Sequence, residues 1–263
     1  MRPMGDEMTA RFLADGFVRI PGAFDEGTAR AGAELLWREC GFDRDDPATW
    51  TEPVVRLGDM AQPPFARAAN TPVLHAAFDR LLGAGRWRPR HSLGTFPLRF
   101  PHPQEPLDTG WHIEGSYLPE GARWYHANWR SRDRALLMLF LFSEVGEDDA
   151  PTVVRVGSHL DVPPVLRGHG EAGASILALG AEVAEACGHR EEAYVTGHPG
   201  DVYLCHPFLV HRAQRHTGTR PRFMAQPPLH PVGPCPVEDE DRVPQRCPPV
   251  ERAIRNALGL PVG

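Results

Sequence analysis

From about Ser92 onward, the sequence is a series of short apolar segments separated by turn-forming residues. The segments are rich in Val, Leu, Phe, Tyr and Trp, with Gly, Pro, Asp and His between them, a pattern typical of strands joined by hairpins. A parallel α/β fold would alternate strands with helices, and this stretch does not. We therefore expect a mainly β fold, a two-sheet barrel or jelly roll with helices outside. The segments are SLGTFPLRFP, GWHIEGSYL, ALLMLFLFSEV, PTVVRVGS, EAYVTG, GDVYLCHPFLVHRA and RFMAQPPL.

The first third of the chain carries helical patterns instead. Asp25 is a suitable N-cap for a helix that continues to Cys40, and Gly16 and Gly41 stand where helices would end. Because no internal repeat or long low-complexity linker interrupts the 263 residues, we expect a single domain. Its parts are a helical region at about 1–90, a jelly-roll core at about 91–230, and a Pro-rich tail with a short helix at about 231–263. Individual helices are expected at 7–15, 25–40, 71–82, 171–187 and 250–258.

Composition argues against several classes of protein. The hydrophobic content of 41% suffices for a packed core, and mixed charges with a formal net charge of −6 argue against a nucleic-acid partner. The longest apolar run, residues 135–142, is far shorter than the ~20 residues of a membrane helix. No signal peptide is visible at the N-terminus. The cysteines, 5 in number and without CxxC spacing, are typical of free thiols, so we expect a cytoplasmic protein.

Within the segment GWHIEGSY, His112 and Glu114 stand two residues apart. In a strand, residues i and i+2 point to the same face at a spacing of about 6–7 Å, so both side chains could converge on one ion. Such a pair also arises by chance in many strands, and a metal site needs a further ligand. A polar element about a hundred residues downstream, LVHRAQRHTGTRPR, offers one.

Three histidines in or near that element are candidates for the third ligand. His206 precedes a proline and differs in strand parity from His211, while His216 lies in a polar turn where we expect it to be solvated. His211 ends an apolar strand, where an inward polar side chain needs a role, so we favour it. Two imidazoles and one carboxylate on one face of a metal are the ligand set of non-haem Fe(II) oxygenases, and they leave positions open for other ligands.

Arg220 and Arg222 follow His211 on what we predict to be a returning strand across a hairpin. A guanidinium that faces the metal cavity would bind a carboxylate through two parallel hydrogen bonds. A dicarboxylic co-substrate that chelates the metal at one end would require such a partner at its other end. Strand parity does not separate the two arginines, because both would point to the same face.

These motifs resemble the phytanoyl-CoA dioxygenase family of Fe(II)/2-oxoglutarate-dependent oxygenases. The resemblance rests on GWHIEGSY, LVHRAQRHTGTRPR, APTVVRVGSHL and the N-terminal FLADGFVRIPGAF, so it spans most of the chain. It implies a double-stranded β-helix core of the cupin-like type, with Fe(II) bound by His112, Glu114 and His211. It also implies that Arg222, eleven positions after His211, binds the far carboxylate of 2-oxoglutarate, with Arg220 as its neighbour.

The resemblance further implies that O2 and 2-oxoglutarate are consumed, with release of succinate and CO2 and hydroxylation of a C–H bond of a small molecule. An amino acid or a secondary metabolite is the substrate we expect from the breadth of the family. Glu114 stands where the family more often has Asp, and Ala213 stands where a small hydroxyl residue often helps to hold 2-oxoglutarate. The retained carboxylate favours hydroxylation over halogenation, while desaturation or cyclisation would begin from the same chemistry.

A loop after the metal pair, GARWYHANWRSRDR at residues 121–134, combines aromatic and basic side chains. It forms either a substrate pocket with an anion-binding corner or a solvated basic loop with aromatic packing. Trp111 is expected to pack around the metal site, and His159 is expected to be structural. The candidate substrate residues are Trp124, Tyr125, His126, Trp129, Arg130 and Arg132, with Arg56 and Arg99 as further candidates.

Two other classes of protein share parts of this pattern. A cupin-like binding barrel would hold a small ligand without redox chemistry and would not need Arg222. A metal-dependent hydrolase or isomerase could use the same ligand set with zinc or manganese and without 2-oxoglutarate. The sequence does not define the oligomeric state.

Overall fold

The N-terminal helices begin and end at the residues that the sequence marks for those roles. The computed structural model describes residues 4–130, 133–233, 237 and 247–261. The side chain of Asp25 accepts a hydrogen bond from the amide of Thr28 at 2.8 Å, and Gly16 and Gly41 adopt the left-handed conformation that ends a helix. The helices are α1 (Asp6–Asp15), α2 (Glu26–Cys40), α3 (Pro63–Ala69), α4 (Pro72–Leu82), α5 (Val162–Gly168), α6 (Ile176–Ala186) and α7 (Pro249–Ala257).

The sequence patterns do not predict α3 and α5. Both helices are only 7 residues long and have proline in the first turn. Proline fits that position because its missing amide would have no partner there, yet adjacent prolines in a sequence are also typical of loops. The other predicted helices are confirmed with shifts of a few residues, the largest at α6. None of the helices that the structure describes is long and apolar enough to cross a lipid bilayer.

The strands that the structure describes form two sheets and two separate strand pairs. They are β1 (Phe17–Ile20), β2 (Val54–Leu57), β3 (Phe96–Arg99), β4 (His126–Ala127), β5 (Leu136–Leu141), β6 (Val153–Arg155), β7 (Ala174–Ser175), β8 (Glu192–Tyr194), β9 (Val202–Cys205), β10 (His211–Arg212), β11 (Met224–Ala225) and β12 (Pro228–Leu229). The larger sheet has the antiparallel order β1-β9-β5-β11, and β12 also pairs with β5. The smaller sheet has the order β10-β6-β8, and the separate pairs are β2-β3 and β4-β7.

Strand β5 explains the apolar run at residues 135–142, because both of its faces are buried. Leu137, Leu139 and Leu141 pack in a cluster with residues of the smaller sheet. Their neighbours of opposite parity, including Met138 and Phe140, pack in the cluster that contains the N-terminal helices. A strand covered on both faces loses the alternation of apolar and polar residues. The core thus lies between the two sheets and between the larger sheet and the helices.

The segment GDVYLCHPFLVHRA, predicted as one strand, is two strands in different sheets. Strand β9 lies in the larger sheet and β10 in the smaller one. Between them the chain turns, with the amide of Leu209 donating to the carbonyl of His206 at 3.0 Å. Pro207 has no amide proton for a sheet ladder, which favours a turn at this point. His211 therefore begins a strand of the smaller sheet, whereas the sequence analysis placed it at the end of a longer strand.

The segment that contains His112 is not a continuous strand. It joins the smaller sheet through a single bridge between His112 and His211, and a second bridge joins Tyr117 to His126. Likewise, the chain around Arg222 returns beside β3 through a bridge to Arg99, and not beside β10. These isolated bridges join the His112 segment to the smaller sheet and the chain around Arg222 to the β2-β3 pair. The predicted strand-rich core with outer helices is confirmed, and the division into a single domain stays a prediction.

Candidate metal centre and its surroundings

His112 and His211 lie directly opposite each other on neighbouring backbone segments. The amide of His112 donates to the carbonyl of His211 at 3.0 Å, and the amide of His211 donates back at 2.9 Å. Paired residues project their side chains to the same face, and the two imidazole centroids are 4.4 Å apart. Glu114 places its Oε1 3.4 Å from Nε2 of His211. One ligand atom from each of the three side chains lies within 4.8 Å of the other two.

A backbone carbonyl two residues earlier in the chain orients each imidazole. Nδ1 of His112 donates to the carbonyl of Gly110 at 2.8 Å, and Nδ1 of His211 donates to the carbonyl of Leu209 at 2.9 Å. Because Nδ1 carries the proton in both rings, Nε2 keeps its lone pair free for a metal. A hydrogen bond of this kind is the usual means by which a protein fixes the orientation of a metal-binding histidine.

The charges of the three groups also fit a metal. Burial lowers the pKa of His112, and the neighbouring His211 lowers it further, so the neutral form is favoured. Burial would raise the pKa of Glu114, but the guanidinium of Arg134 and the imidazole of His211 outweigh it and hold that pKa well below its usual range. A neutral imidazole at His112 and an ionised carboxylate at Glu114 are protonation states that suit the binding of a divalent cation.

Two imidazole nitrogens and a carboxylate oxygen are a donor set suited to Fe(II), with coordination positions left open. In the part of the chain that the structure describes, these three residues are the group of His, Cys, Asp and Glu side chains close enough to share an ion. The residues present thus fit a mononuclear iron site that is open to further ligands.

The other candidate histidines lie elsewhere and have structural partners. His206 is fully buried, and its Nε2 donates to the carbonyl of Val250 at 3.2 Å. His159 is also buried, with Nε2 3.2 Å from the carbonyl oxygen of Leu13. His216, expected to be solvated, is instead buried, because its Nε2 donates to the carbonyl of Arg220 at 2.7 Å and so closes the polar turn.

Arg222 is completely buried. Its Nη1 donates to the carbonyl of Ala150 at 2.6 Å and its Nη2 to the carbonyl of Pro97 at 3.3 Å, while Nε meets no acceptor among the described residues. Burial lowers the pKa of Arg222 well below its usual range, and the charge of Arg99 lowers it further. A buried cation without an ionic partner is costly, so this position favours an anion.

Arg99 lies opposite Arg222 on the neighbouring backbone segment. Their amides and carbonyls exchange hydrogen bonds of 3.0 and 2.8 Å, so the two buried side chains share a face. Arg99 donates through Nη2 to Asp108 at 2.7 Å, and Asp108 also pairs with the exposed Arg56. Asp108 is thus shared between Arg99 and Arg56. Among the described residues it forms no ion pair with Arg222, which leaves the corner with an excess positive charge. A carboxylate of 2-oxoglutarate fits that requirement.

Arg220 is separated from Arg222 by the structure. Its side chain is 61% exposed and pairs with Asp149 at 2.8 Å. Residues 218–220 form a bend and not a strand, so the parity argument, which would give both arginines the same direction, does not apply here. The structure brings Arg222 into the buried polar corner and leaves Arg220 at the surface.

A polar cavity opens beside Glu114, and its lining includes neither His112 nor His211. Tyr125 contributes an aromatic wall, and Ile176 and Pro228 are among the few apolar groups in the lining. The polar side chains around it carry both signs of charge and several neutral hydrogen-bonding groups. They are Asp59, Arg90, Thr95, Asp133, Arg134 and Gln226.

The predicted substrate residues are divided between several locations. Trp124 is half exposed next to the cavity residue Tyr125. Trp129 is buried in the cluster of α5 and α6, with Arg130 stacked over its ring at 4.3 Å. Arg130 also pairs with Glu171 at 2.8 Å. Arg132 lies outside the described residues.

The remaining predicted positions lie around the centre. Arg56 and Arg99 belong to the charged corner next to Arg222 and not to the cavity beside Glu114. Trp111 packs between Arg155 at 4.3 Å and Arg212 at 4.9 Å, and its expected position around the metal site stays a prediction. His126 pairs through its backbone with Tyr117.

Arg134, Arg90, Asp59 and Gln226 line the cavity beside Glu114 and were not predicted from the sequence to do so. Arg134 is the last residue of the aromatic and basic loop, so its position directly before β5 was a usable signal. The others are distant in sequence and meet only through tertiary pairing, for which a single sequence carries no signal.

A jelly-roll core with this open ligand set and a buried arginine defines the class of non-haem Fe(II)/2-oxoglutarate-dependent enzymes. The chain belongs to the phytanoyl-CoA dioxygenase (PhyH) family, whose model matches residues 12–224. This match confirms the family inferred from the motifs, whose cofactors are Fe(II), 2-oxoglutarate and O2. No curated protein matches the sequence at a significant level.

Several solved structures share the fold at low sequence identity. The α-ketoglutarate-dependent carbocyclase SnoK from nogalamycin biosynthesis is 17% identical, with a TM-score of 0.55 over 87% of this chain and 84% of that one. HygX from Streptomyces hygroscopicus, solved with nickel, 2-oxoglutarate and hygromycin B, is 22% identical, with a TM-score of 0.55 over 85% and 86%. EctD from S. alaskensis is 21% identical, with a TM-score of 0.52 over 88% and 78%. These similarities confirm the predicted fold class.

Proposed function

We propose that this protein is an Fe(II)/2-oxoglutarate-dependent dioxygenase that hydroxylates a C–H bond of a small molecule and releases succinate and CO2. The observation that carries the proposal is the convergence of His112, Glu114 and His211, with one nitrogen of each imidazole and one carboxylate oxygen within 4.8 Å of one another. His211 lies in β10 of the smaller sheet, and His112 pairs with it through a backbone bridge. The backbone of the fold therefore positions both imidazoles.

In this proposal the chain supplies three ligand atoms and the orientation of each. The carbonyls of Gly110 and Leu209 hold the imidazoles, and Arg134 contacts the carboxylate. Iron, when bound, supplies the activation of O2 that is coupled to decarboxylation of 2-oxoglutarate. The protein positions the reactants and limits the access of water.

Arg222 and Arg99 are proposed to hold the far carboxylate of 2-oxoglutarate. Support comes from their burial, their shared face and the single Asp108 carboxylate that they have nearby. Ala213 offers no hydroxyl at the position where the family often has one. The second guanidinium provides the donor that Ala213 lacks.

The cavity beside Glu114 is proposed to hold the substrate. Its lining of charged and hydrogen-bonding groups supports a polar small molecule and argues against a long acyl chain. HygX was solved with hygromycin B, and the epimerase SnoN was solved with Fe3+, α-ketoglutarate and nogalamycin RO. An amino acid or a secondary metabolite remains the proposed substrate, and cytoplasm the proposed location.

A cyclisation or an epimerisation is the second candidate reaction, because SnoK is described as a carbocyclase and SnoN as an epimerase. The ligand set is compatible with either outcome, since the substrate decides which bond forms. The buried Arg222 argues against a binding barrel or a zinc hydrolase, because neither needs a buried guanidinium that calls for an anion.

Succinate formation tests the proposal. With Fe(II), 2-oxoglutarate and O2, and a panel of amino acids and natural products, the wild-type protein should convert 2-oxoglutarate to succinate. His112→Ala and His211→Ala should abolish this turnover, because two ligands do not hold the metal in a productive geometry. Turnover that persists unchanged in His112→Ala would exclude the assigned ligand set.

A further inference from the structure

Glu114 divides its two carboxylate oxygens between different partners. Oε1 lies 3.4 Å from Nε2 of His211, on the side where the ligand atoms converge. Oε2 lies 3.2 Å from Nη2 of Arg134. The same guanidinium donates through Nε to the carbonyl of Gly115 at 2.9 Å. Arg134 thus contacts both Glu114 and the residue that follows it.

We propose that Arg134 is a positioning residue that holds Oε2 of Glu114 and presents Oε1 alone to the metal. The inference rests on the proposed function, because it assumes that Glu114 is a metal ligand. Glutamate has one more rotatable bond than the aspartate that is usual at this position, so its carboxylate has more freedom to lose on binding. A guanidinium anchored to the backbone at Gly115 removes part of that freedom before the metal arrives.

The direction in which metal affinity changes when Arg134 is removed separates a positioning role from a purely electrostatic one. Arg134 carries a positive charge close to a site for a divalent cation, so charge alone would make its removal strengthen metal binding. Positioning predicts the opposite, because a carboxylate released from Arg134 must be ordered by the metal itself. Residues that hydrogen-bond to metal ligands typically contribute about 10- to 100-fold in metal affinity.

Arg90 provides a matched control. It lines the same cavity as Arg134, and the two side chains are 12% and 13% exposed. Arg90 donates to the carbonyls of Ser92 and Pro228 and pairs with Asp59, so its hydrogen bonds and ion pair do not involve Glu114. Removal of Arg90 therefore changes the charge of the cavity without releasing a metal ligand.

The experiment is a titration of metal-free protein with Co(II), followed by visible absorption, for wild type, Arg134→Met, Arg134→Lys and Arg90→Met. We expect Arg134→Met to weaken Co(II) binding about 10- to 100-fold and Arg134→Lys to recover part of the loss. Arg90→Met should leave the affinity unchanged or make it tighter, because it removes a positive charge and frees no metal ligand. Thermal unfolding of each variant shows whether it is folded, and Arg134→Lys supplies the test if Arg134→Met is not.

The same titration in a Glu114→Ala background tests whether Arg134 acts through Glu114. In Glu114→Ala, residual Co(II) binding by the two histidines should not weaken further when Arg134→Met is added. Unchanged or tighter binding in Arg134→Met alone, or equal weakening in the Glu114→Ala background, would overturn the positioning role. If wild-type protein binds no Co(II), the proposed function fails and not merely the role of Arg134.

Discussion

At the scale of single residues, the buried positive charges of Arg222 and Arg99 indicate an anionic ligand. Arg222 and Arg99 lie side by side away from solvent, with Asp108 as the carboxylate that Arg99 binds. Such a corner is stable only to the extent that its charges are compensated. A carboxylate would compensate them, which supports the proposal that this corner holds the far end of 2-oxoglutarate.

The first prediction concerns this corner. In the presence of Ni(II), 2-oxoglutarate should raise the unfolding temperature of wild-type protein, since a ligand that binds the folded state stabilises it. Arg222→Met should lose most of this rise and need a higher 2-oxoglutarate concentration for turnover. Arg220→Met is the control, because Arg220 is exposed and pairs with Asp149. An equal rise in Arg222→Met and wild type would contradict the assignment of Arg222.

At the scale of elements, the site depends on how closely the His112 segment approaches the loop that follows it. A Cβ at Gly115 would collide with Cβ of Tyr125, a position that no rotation of the tyrosine side chain relieves. Gly115 also follows Glu114 directly and accepts a hydrogen bond from Arg134. The glycine is thus required by close packing between two segments and not by its own backbone angles.

The second prediction follows from that packing. Gly115→Ala should displace the His112 segment or the Tyr125 loop and weaken Co(II) binding by roughly 10-fold, the lower end of the range for supporting residues of a metal site. Gly168→Ala is the matched control, because a Cβ there meets nothing within 4 Å and the residue lies in α5, which provides none of the proposed ligands. Equal affinities in the two variants would show that the contact with Tyr125 has no influence on the ligands.

The sequence predicted the ends of helices well, because a helix end depends on residues that are close together in the chain. The cap at Asp25 and the helix ends at Gly16 and Gly41 depend on neighbours within a few residues, and the structure has them as expected. The pair His112 and Glu114 was found by the same short-range periodicity. Strand parity failed for Arg220, because a bend precedes Arg222 and no periodicity continues through it.

The parts that were not predictable depend on tertiary pairing. The separation of β9 from β10 into different sheets, and the bridge between Arg99 and Arg222, are made by segments far apart in the chain. The cavity residues Asp59 and Gln226 likewise meet only after folding. The resemblance to the family predicted the role of Arg222, while nothing in the sequence predicted that Arg99 would lie beside it.

At the scale of the whole molecule, buried histidines connect stability to pH. Burial lowers the pKa of His159 to about 4 and lowers that of His206 well below its usual range. Their rings are 5.0 Å apart, where α1, the turn after β9 and α7 meet. Below pH 6.5 the unfolded chain binds a proton on each imidazole that the folded protein does not accept.

The third prediction is that stability falls as the pH falls from about 6.5 to about 4. His159 alone should contribute about 3 kcal/mol to this loss, since each pKa unit corresponds to about 1.4 kcal/mol. Urea unfolding at a series of pH values measures the slope, which His159→Gln should reduce and the exposed His198→Gln should not. An identical slope in His159→Gln and wild type would contradict the burial of a neutral imidazole.

The central claim is that His112, Glu114 and His211 hold iron while Arg222 holds the far end of 2-oxoglutarate. The most direct measurement is visible absorption of the protein with Fe(II) and 2-oxoglutarate in the absence of O2. The account predicts a charge-transfer band of the iron chelate in wild type, its loss in His211→Ala, and its appearance only at higher 2-oxoglutarate concentration in Arg222→Met. A folded wild-type protein that shows no band would contradict the account.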